Sequence, residues 1–462
     1  VNNNQSNNKE TKGLQTLLGD PKKAIIKLAI PMIIAMSVQT LYNVVDTFWV
    51  SGLGINALAA VQFVFPFIFM ATALATGLGI GGGSAISRKI GAKDKTGADN
   101  VASHTLVIML ITAILFMILF FVFAEPIFIA MGSGQITTMA VTYAQIIASG
   151  IIILFFSFIA NAILRAEGDA KRAMFAMVLG GILNVILDPI FIYTLGLGVP
   201  GAAWATVLSM SISATLLFYW LFLKKDTYVS LSFHGFRFER KIIKDILEVG
   251  LPASVMQISM SIMMIIMNLI LNTVGGLDGL AVFSAGWKVV TIAVMPILGM
   301  ATAVVSVTGA AYGAKEYKKL NVSYIYSIKI GFIIEIGIAT ATFLLAPLIA
   351  IAFTQAQGSE RITNDITIFL QTIWIFYPTS AFGIISSAVF QGVGKGIYSL
   401  IVTLFRTILL IPPLAWLFST TLNMGIQGAW WGLVTANTIA GIAGFIWVTF
   451  YIRKLMKKQE QA

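Results

Sequence analysis

The chain has 462 residues, of which 58% are hydrophobic and only 11% charged, and it contains no cysteine. A soluble domain carries about 25% charged residues, so this composition excludes a water-soluble globular fold, and the missing cysteine excludes disulfides and thiolate metal sites. The net charge of +11 would suit nucleic acid in a soluble protein, but its placement along the chain assigns it to a membrane surface and excludes nucleic acid as a partner.

The chain opens on VNNNQSNNKETKGLQTLLGD, too polar to bury a core and predicted to be a disordered tail over 1–23. Asp20-Pro21 then supplies a helix N-cap followed by proline at the first helical position. A bilayer core needs about 20 apolar residues per helix. About twelve such stretches follow, near 24–50, 57–84, 101–124, 136–164, 172–195, 200–223, 242–274, 280–308, 322–352, 364–391, 397–419 and 426–452. The first is too long for a signal-peptide core and is expected to remain as helix one. Nearly all Lys and Arg fall in the tails and in alternate loops, including Arg88 to Lys95, Arg165 to Arg172, Lys224 to Lys244, Lys315 to Lys319 and Arg453 to Lys458. By the positive-inside rule both termini are cytoplasmic in a multi-pass cell-membrane protein. His104 and His234 read as surface residues, and the polar stretch 224–241 as a solvated tether.

The chain repeats itself. Gly91-Ala92-Lys93-Asp94 recurs as Gly313-Ala314-Lys315-Glu316, Pro31 as Pro252, and GVPGAAWATVLS from Gly198 as GIQGAWWGLVTA from Gly425. The fold class is therefore an all-α integral membrane protein of two parallel-repeat six-helix lobes, 24–223 and 242–453, with a short tail at 454–462. Parallel repeats are related by an axis along the membrane normal and hold their substrate between them.

Two acids break the symmetry. Asp46 lies in helix one and Asp188 in helix five, where the repeat places Met267 and Leu414. A carboxylate near a span centre costs about 2.5–3.5 kcal/mol on insertion scales, so such groups face a bundle interior or a water cavity. Gln39, Asn43 and Asp46 are spaced to share one helical face, as are Asn184 with Asp188 and Ser157 with Asn161. Tyr143 and Thr206 add hydroxyls. Both acids lie toward the same end of their helices, so they can meet at one depth and share a proton, or bind a hard cation such as Na⁺ with the Asn and Thr oxygens. Pro31 and Pro189 each remove a backbone donor and offer hinges. Met260 and Met264 belong to the densest methionine cluster, which suits helix packing and also a flexible substrate surface. Lys288, Lys329, Glu335 and Arg406 also sit within apolar segments, where cross-helix ion pairing competes with a substrate role. No phosphate-binding loop is present, which leaves an ion gradient as the energy source and no resident cofactor.

The runs SVQTLYNVVDTFWVSGLG, RAEGDAKRAM and ILNVILDPIFIYTLGLGVPGAAWAT resemble the multidrug and toxic compound extrusion (MATE) family, and most nearly archaeal members of the branch named for DNA-damage-inducible protein F. The resemblance implies a transporter rather than an enzyme, a monomeric V of two lobes that exports cationic or amphiphilic small molecules in exchange for H⁺ or Na⁺. It implies a coupling site at Asp46, Asn184, Asp188 and Thr206, which would also hold Na⁺, with neighbouring contacts from Gln39, Tyr143 and Asn161 and a bend at Pro31. Two alternatives are a related flippase for lipid-linked glycan precursors and a non-transporting membrane receptor or scaffold in which the acids are structural.

Overall fold

The computed structural model describes residues 11–224, 226–233, 236–355 and 360–461. Every regular element among them is helical. Eleven helices are long and apolar enough to cross a membrane, or twelve spans when the pair bent by 47° at Gly150 is counted as one. In lipid every backbone polar group must be satisfied inside the protein, which is why helices alone carry the chain across.

The first half contains α1 (Lys12–Leu18), α2 (Pro21–Ser51), α3 (Ile55–Gly91), α4 (Lys95–Ala130), α5 (Thr137–Ser149), α6 (Ile151–Ala166), α7 (Ala170–Pro189) and α8 (Val199–Phe218). The second contains α9 (Arg240–Ala293), α10 (Met295–Gly313), α11 (Tyr317–Phe353), α12 (Thr363–Thr372), α13 (Phe376–Gly392), α14 (Gly396–Leu404), α15 (Ile411–Trp416) and α16 (Gly425–Glu460). Asp20 caps α2 as its sequence predicts, accepting from the Lys23 amide with Pro21 at the start of the helix. The boundary expected between 274 and 280 falls at Gly276, where the run Arg240–Ala293 is two helices meeting at a kink, and the φ of 56° there needs glycine. The repeat is written into the backbone. Lys93 and Lys315 are both left-handed, at φ 57° and 58°, and wide π turns at Ile190–Thr194 and Leu417–Thr421 end corresponding spans.

The tail departs from expectation. Residues 1–10 lie outside the described structure, but Thr11 caps α1, and Leu17 is buried against the main core. The helix bridges the halves. Gly13 sits so close to the Glu167–Asp169 turn that a Cβ would press on its backbone, while the Lys319 ammonium donates to the Leu18 carbonyl at 3.4 Å.

The linker is not a solvated tether. Thr227, Tyr228 and Val229 are buried. Asp226 takes two bonds from the Arg172 guanidinium, 2.9 and 2.6 Å; the Val229 amide donates to Glu167 at 2.9 Å and the Ser230 amide to Asp99 at 2.8 Å. His104, expected at the surface, is only 2% exposed, its Nδ1 on the Asn100 carbonyl and its Nε2 accepting from the Glu239 amide at 3.0 Å. The reason is chemical: linker amides that need acceptors meet the Glu167 and Asp99 carboxyls and the His104 imidazole on the first half. His234 lies outside the described residues.

The two halves meet on the basic face. There α3 packs on α9, and α2 and α3 pack on α10. A Cβ at Gly81 would fall on the Ile246 carbonyl, one at Gly91 on the Ala310 carbonyl and one at Gly313 on the Arg88 carbonyl. Arg88 closes the seam, pairing with Asp245 at 2.7 Å and lying beside the Gly392 carbonyl at 3.4 Å, while Ser84 donates to the Gln391 and Gly392 carbonyls at 2.5 and 3.1 Å. Among the described residues, the inter-half hydrogen bond farthest from this face along α2 runs from Thr40 to the Met295 sulfur at 3.1 Å. Beyond it Leu41, Val44 and Phe48 are exposed.

Two outcomes are expected. Because the chain lacks cysteine, spin labels at Thr96→Cys and Lys318→Cys report the separation of the halves on the basic face; adding Gly91→Leu should lengthen that distance, and an unchanged distance would mean the glycine seam does not set the closure. Burial pushes the Glu167 carboxyl from 4.5 to about 8, against the bond from Val229 and with Asp169 adding to the shift. A docked linker therefore favours the protonated acid, and docking should weaken as pH rises from about 5 through 8. Amide-exchange protection of residues 226–231, corrected for intrinsic rates, should fall over that window and become flat in Glu167→Gln.

Candidate functional site

The ends of α2 and α7 lie side by side. The Tyr193 hydroxyl, in the π turn after α7, donates to the Trp49 carbonyl of α2 at 2.5 Å, and Tyr42 packs its ring over Gly181. This brings Asp46 and Asp188 to one depth. Their carboxyls face each other within hydrogen-bonding reach, a contact that is attractive only when a proton or a cation lies between them.

Asp188 is fully buried and Asn184 nearly so. The Asn184 amide group donates to Asp188 at 3.1 Å and toward the Thr206 hydroxyl at 3.4 Å. Thr206 in turn donates to the Ala202 carbonyl one turn earlier on α8 at 3.0 Å. These bonds occupy one oxygen of Asp188 and leave three buried oxygens without partners: Asp46 Oδ1, Asp188 Oδ2 and Asn184 Oδ1. Buried polar atoms are almost always bonded. Three unpartnered oxygens beside a threonine hydroxyl form a donor set of the hard kind that suits Na⁺, and the facing carboxyls equally suit a shared proton.

Tyr143 is buried beside both acids. Tyr42 faces Gln39 as well as the acid pair, so Gln39 reaches the site through a residue that the sequence reading passed over. The signal was available, since Tyr42 precedes Asp46 by one helical turn and shares its face. Asn43, spaced for the same face, is exposed, and makes no hydrogen bond to either acid among the described residues. Asn161 uses its amide on the Ser157 carbonyl at 2.8 Å and leaves its own oxygen unpartnered. Pro31 lies inside an unbroken α2, whereas Pro189 ends α7 directly before the π turn.

The remaining candidates lie in the second half. Met260 and Met264 pack against its apolar core, and the Met260 sulfur lies 3.7 Å from an Arg406 nitrogen. Arg406 also donates to Asn437 at 3.4 Å and has no carboxylate partner among the described residues. Glu335 is fully buried with neither oxygen hydrogen-bonded. Lys288 and Lys329 are exposed. Of the two alternatives for these four, ion pairing with one another is absent among the described residues.

The MatE family model matches the chain twice, over residues 31–190 and 252–417, and its two stretches start at Pro31 and Pro252, the prolines that mark the internal repeat. The chain belongs to the MATE family. It is a multi-pass membrane transporter and not an enzyme. Among curated proteins it is similar to the multidrug export protein MepA of Staphylococcus saprophyticus, 26% identical over 435 residues that cover 92% of each chain. Among solved structures it is similar to a MOP superfamily transporter from Pyrococcus furiosus Vc1, with a TM-score of 0.93 and 48% identity over 96% of this chain and 99% of the other. An outward-facing multidrug resistance MATE transporter matches with a TM-score of 0.94 and 49% identity over 97% and 99%.

Removing the amide that bridges Asp188 and Thr206 should be felt. Asn184→Leu is expected to cost about 1.5–3 kcal/mol, the worth of a hydrogen bond to a charged group, and Thr206→Val about 0.5–1.5 kcal/mol, both read by thermal unfolding in detergent. Equal effects from the two variants would contradict the bonding described.

Proposed function

We propose that this MATE transporter is a multidrug efflux antiporter that exports cationic or amphiphilic small molecules in exchange for H⁺ or Na⁺ by alternating access. The observation that carries this reading is the pair of facing acids with three unpartnered buried oxygens around them. Such a set can release its proton or cation only into a cavity, and it lies on the side where the halves are not tied together. In this reading the basic face is cytoplasmic, both termini lie there, and the conformation is outward-facing. Residues 24–223 and 242–453 act as the two lobes, as a monomer. The 48% identity to the Pyrococcus furiosus transporter supports placement in the archaeal branch named for DNA-damage-inducible protein F.

The residues divide the work. Asp46 and Asp188 hold the proton or cation, Asn184 and Thr206 orient Asp188, and Tyr42 and Tyr143 wall the pair. Occupancy neutralises the repulsion between the acids and lets the ends of α2 and α7 draw together; release restores a negative site that attracts a cationic drug. Pro31 lets α2 bend between these states, and Pro189 leaves the π turn free to follow. A flippase for lipid-linked anionic precursors would call for a cationic cavity, and the polar set of the first half is acidic.

The test is efflux of a fluorescent cation from proteoliposomes under separately imposed proton and sodium gradients. Wild type should respond to one of them, and Asp46→Asn should fall to the level of empty liposomes while still inserting and folding. Full gradient-driven efflux by Asp46→Asn would overturn the reading.

A further inference from the structure

The docked linker presents a surface that transport chemistry does not use. Its aromatic rings continue a ladder that begins inside the membrane spans. Phe156 of α6 lies 6.3 Å from Phe218, Phe218 stacks on Phe222 at 4.5 Å, and Phe222 lies nearly parallel to Phe233 of the linker at 6.5 Å. Phe236 follows at 6.4 Å from Phe233, and Phe238 at 5.2 Å from Phe236. The rungs at the end of α8 and in the π turn Tyr219–Leu223 that follows it belong to a lipid-exposed surface, where Phe218, Tyr219 and Leu223 are all exposed. Phe233 and Phe238, 47% and 60% exposed, extend that same surface past the end of the span. Large exposed rings in water would be costly; at the membrane–water boundary they are favourable.

Charge supplies the second observation. Arg237, Arg240 and Lys241 flank the exposed rings, all exposed and without an ion pair among the described residues. The nearby acids are mostly engaged: Asp226 holds Arg172 and Lys224, Asp99 holds Lys95, and Asp245 holds Arg88. Among the described residues, Glu239 is the one acid that sits in sequence among the three cations, and it has no ion pair there. At the linker's start, where Asp226 holds Arg172, the Arg172 guanidinium lies 5.6 Å over the Trp220 ring, against which the exposed Phe175 packs. Rings that enter the acyl boundary, with unpaired cations beside them, match the surface of a bilayer that carries anionic headgroups.

We propose that Phe233, Phe238, Arg237, Arg240 and Lys241 form a membrane-surface site for anionic phospholipid headgroups, which makes the linker an interfacial strap. The strap is clamped to the first half through Asp226, Val229 and Ser230, so the lipid contact fixes that half against the bilayer while the second half is reached only through the start of α9.

The cysteine-free chain permits a direct test. A nitroxide on Phe238→Cys is read for depth, by collision with oxygen against a water-soluble nickel chelate, in liposomes of phosphatidylglycerol and of phosphatidylcholine. The label should lie about 5–10 Å inside the phosphate level in phosphatidylglycerol. It should move outward in phosphatidylcholine, and outward again in phosphatidylglycerol when Arg237→Gln and Arg240→Gln are added. A label in water in both lipids overturns the proposal and marks the strap as a surface for a soluble partner. Equal depth in both lipids and both backgrounds overturns the anionic headgroup assignment. Phe233→Cys, one rung nearer the span, gives the same readout should Phe238→Cys fold poorly by circular dichroism.

Discussion

A carboxyl group inside a bilayer has no water to fall back on, so its partners must come from the protein. That constraint organises the first half. Asp188 draws the Asn184 amide from one turn away, Asn184 reaches Thr206 on the next helix, and Asp46 is set opposite by the junction of α2 and α7. The backbone serves the same end. The π turn at Ile190–Thr194 begins where Pro189 removes a donor, and irregular backbone at membrane depth is tolerated where it borders a polar interior.

The junction between the halves obeys a different rule. Lipid tails are as apolar as leucine, so helices in a bilayer gain little from mere contact and adhere through close packing of small residues. Gly81, Gly91 and Gly313 provide that closeness, with a single ion pair among the described residues, Arg88–Asp245, at the rim. With its carboxylate partly open to solvent, this ion pair adds little to the packing. Such a seam holds two large bodies together without locking them, as the alternating access proposed above requires.

The sequence revealed the fold class, the duplication and the acid pair, because each is carried by local pattern: apolar length, recurring Gly-Ala-Lys turns, and acids in apolar runs. It did not reveal the docked linker or α1. Their partners lie far along the chain, Val229 on Glu167, Ser230 on Asp99 and Glu239 on His104, and backbone amides leave no trace in composition. His104 looked like a surface residue for the same reason. In the site, helical spacing selected Asn43 and missed Tyr42, since spacing alone names a face several residues wide and only the packing over Gly181 decides which of them turns inward. The second half was the least legible, with Glu335 buried and unbonded and Arg406 held by an amide and a thioether rather than an acid.

The bond from the Tyr193 hydroxyl to the Trp49 carbonyl works as a clasp between two slats. In the proposed bending of α2 its upper part either drags the end of α7 along or unfastens that clasp, which leaves the Trp49 carbonyl to the Gly52 amide at 3.3 Å. The clasp thereby joins the two helix ends that carry the acids, so that geometry, and not only charge, couples what one of them feels to where the other stands.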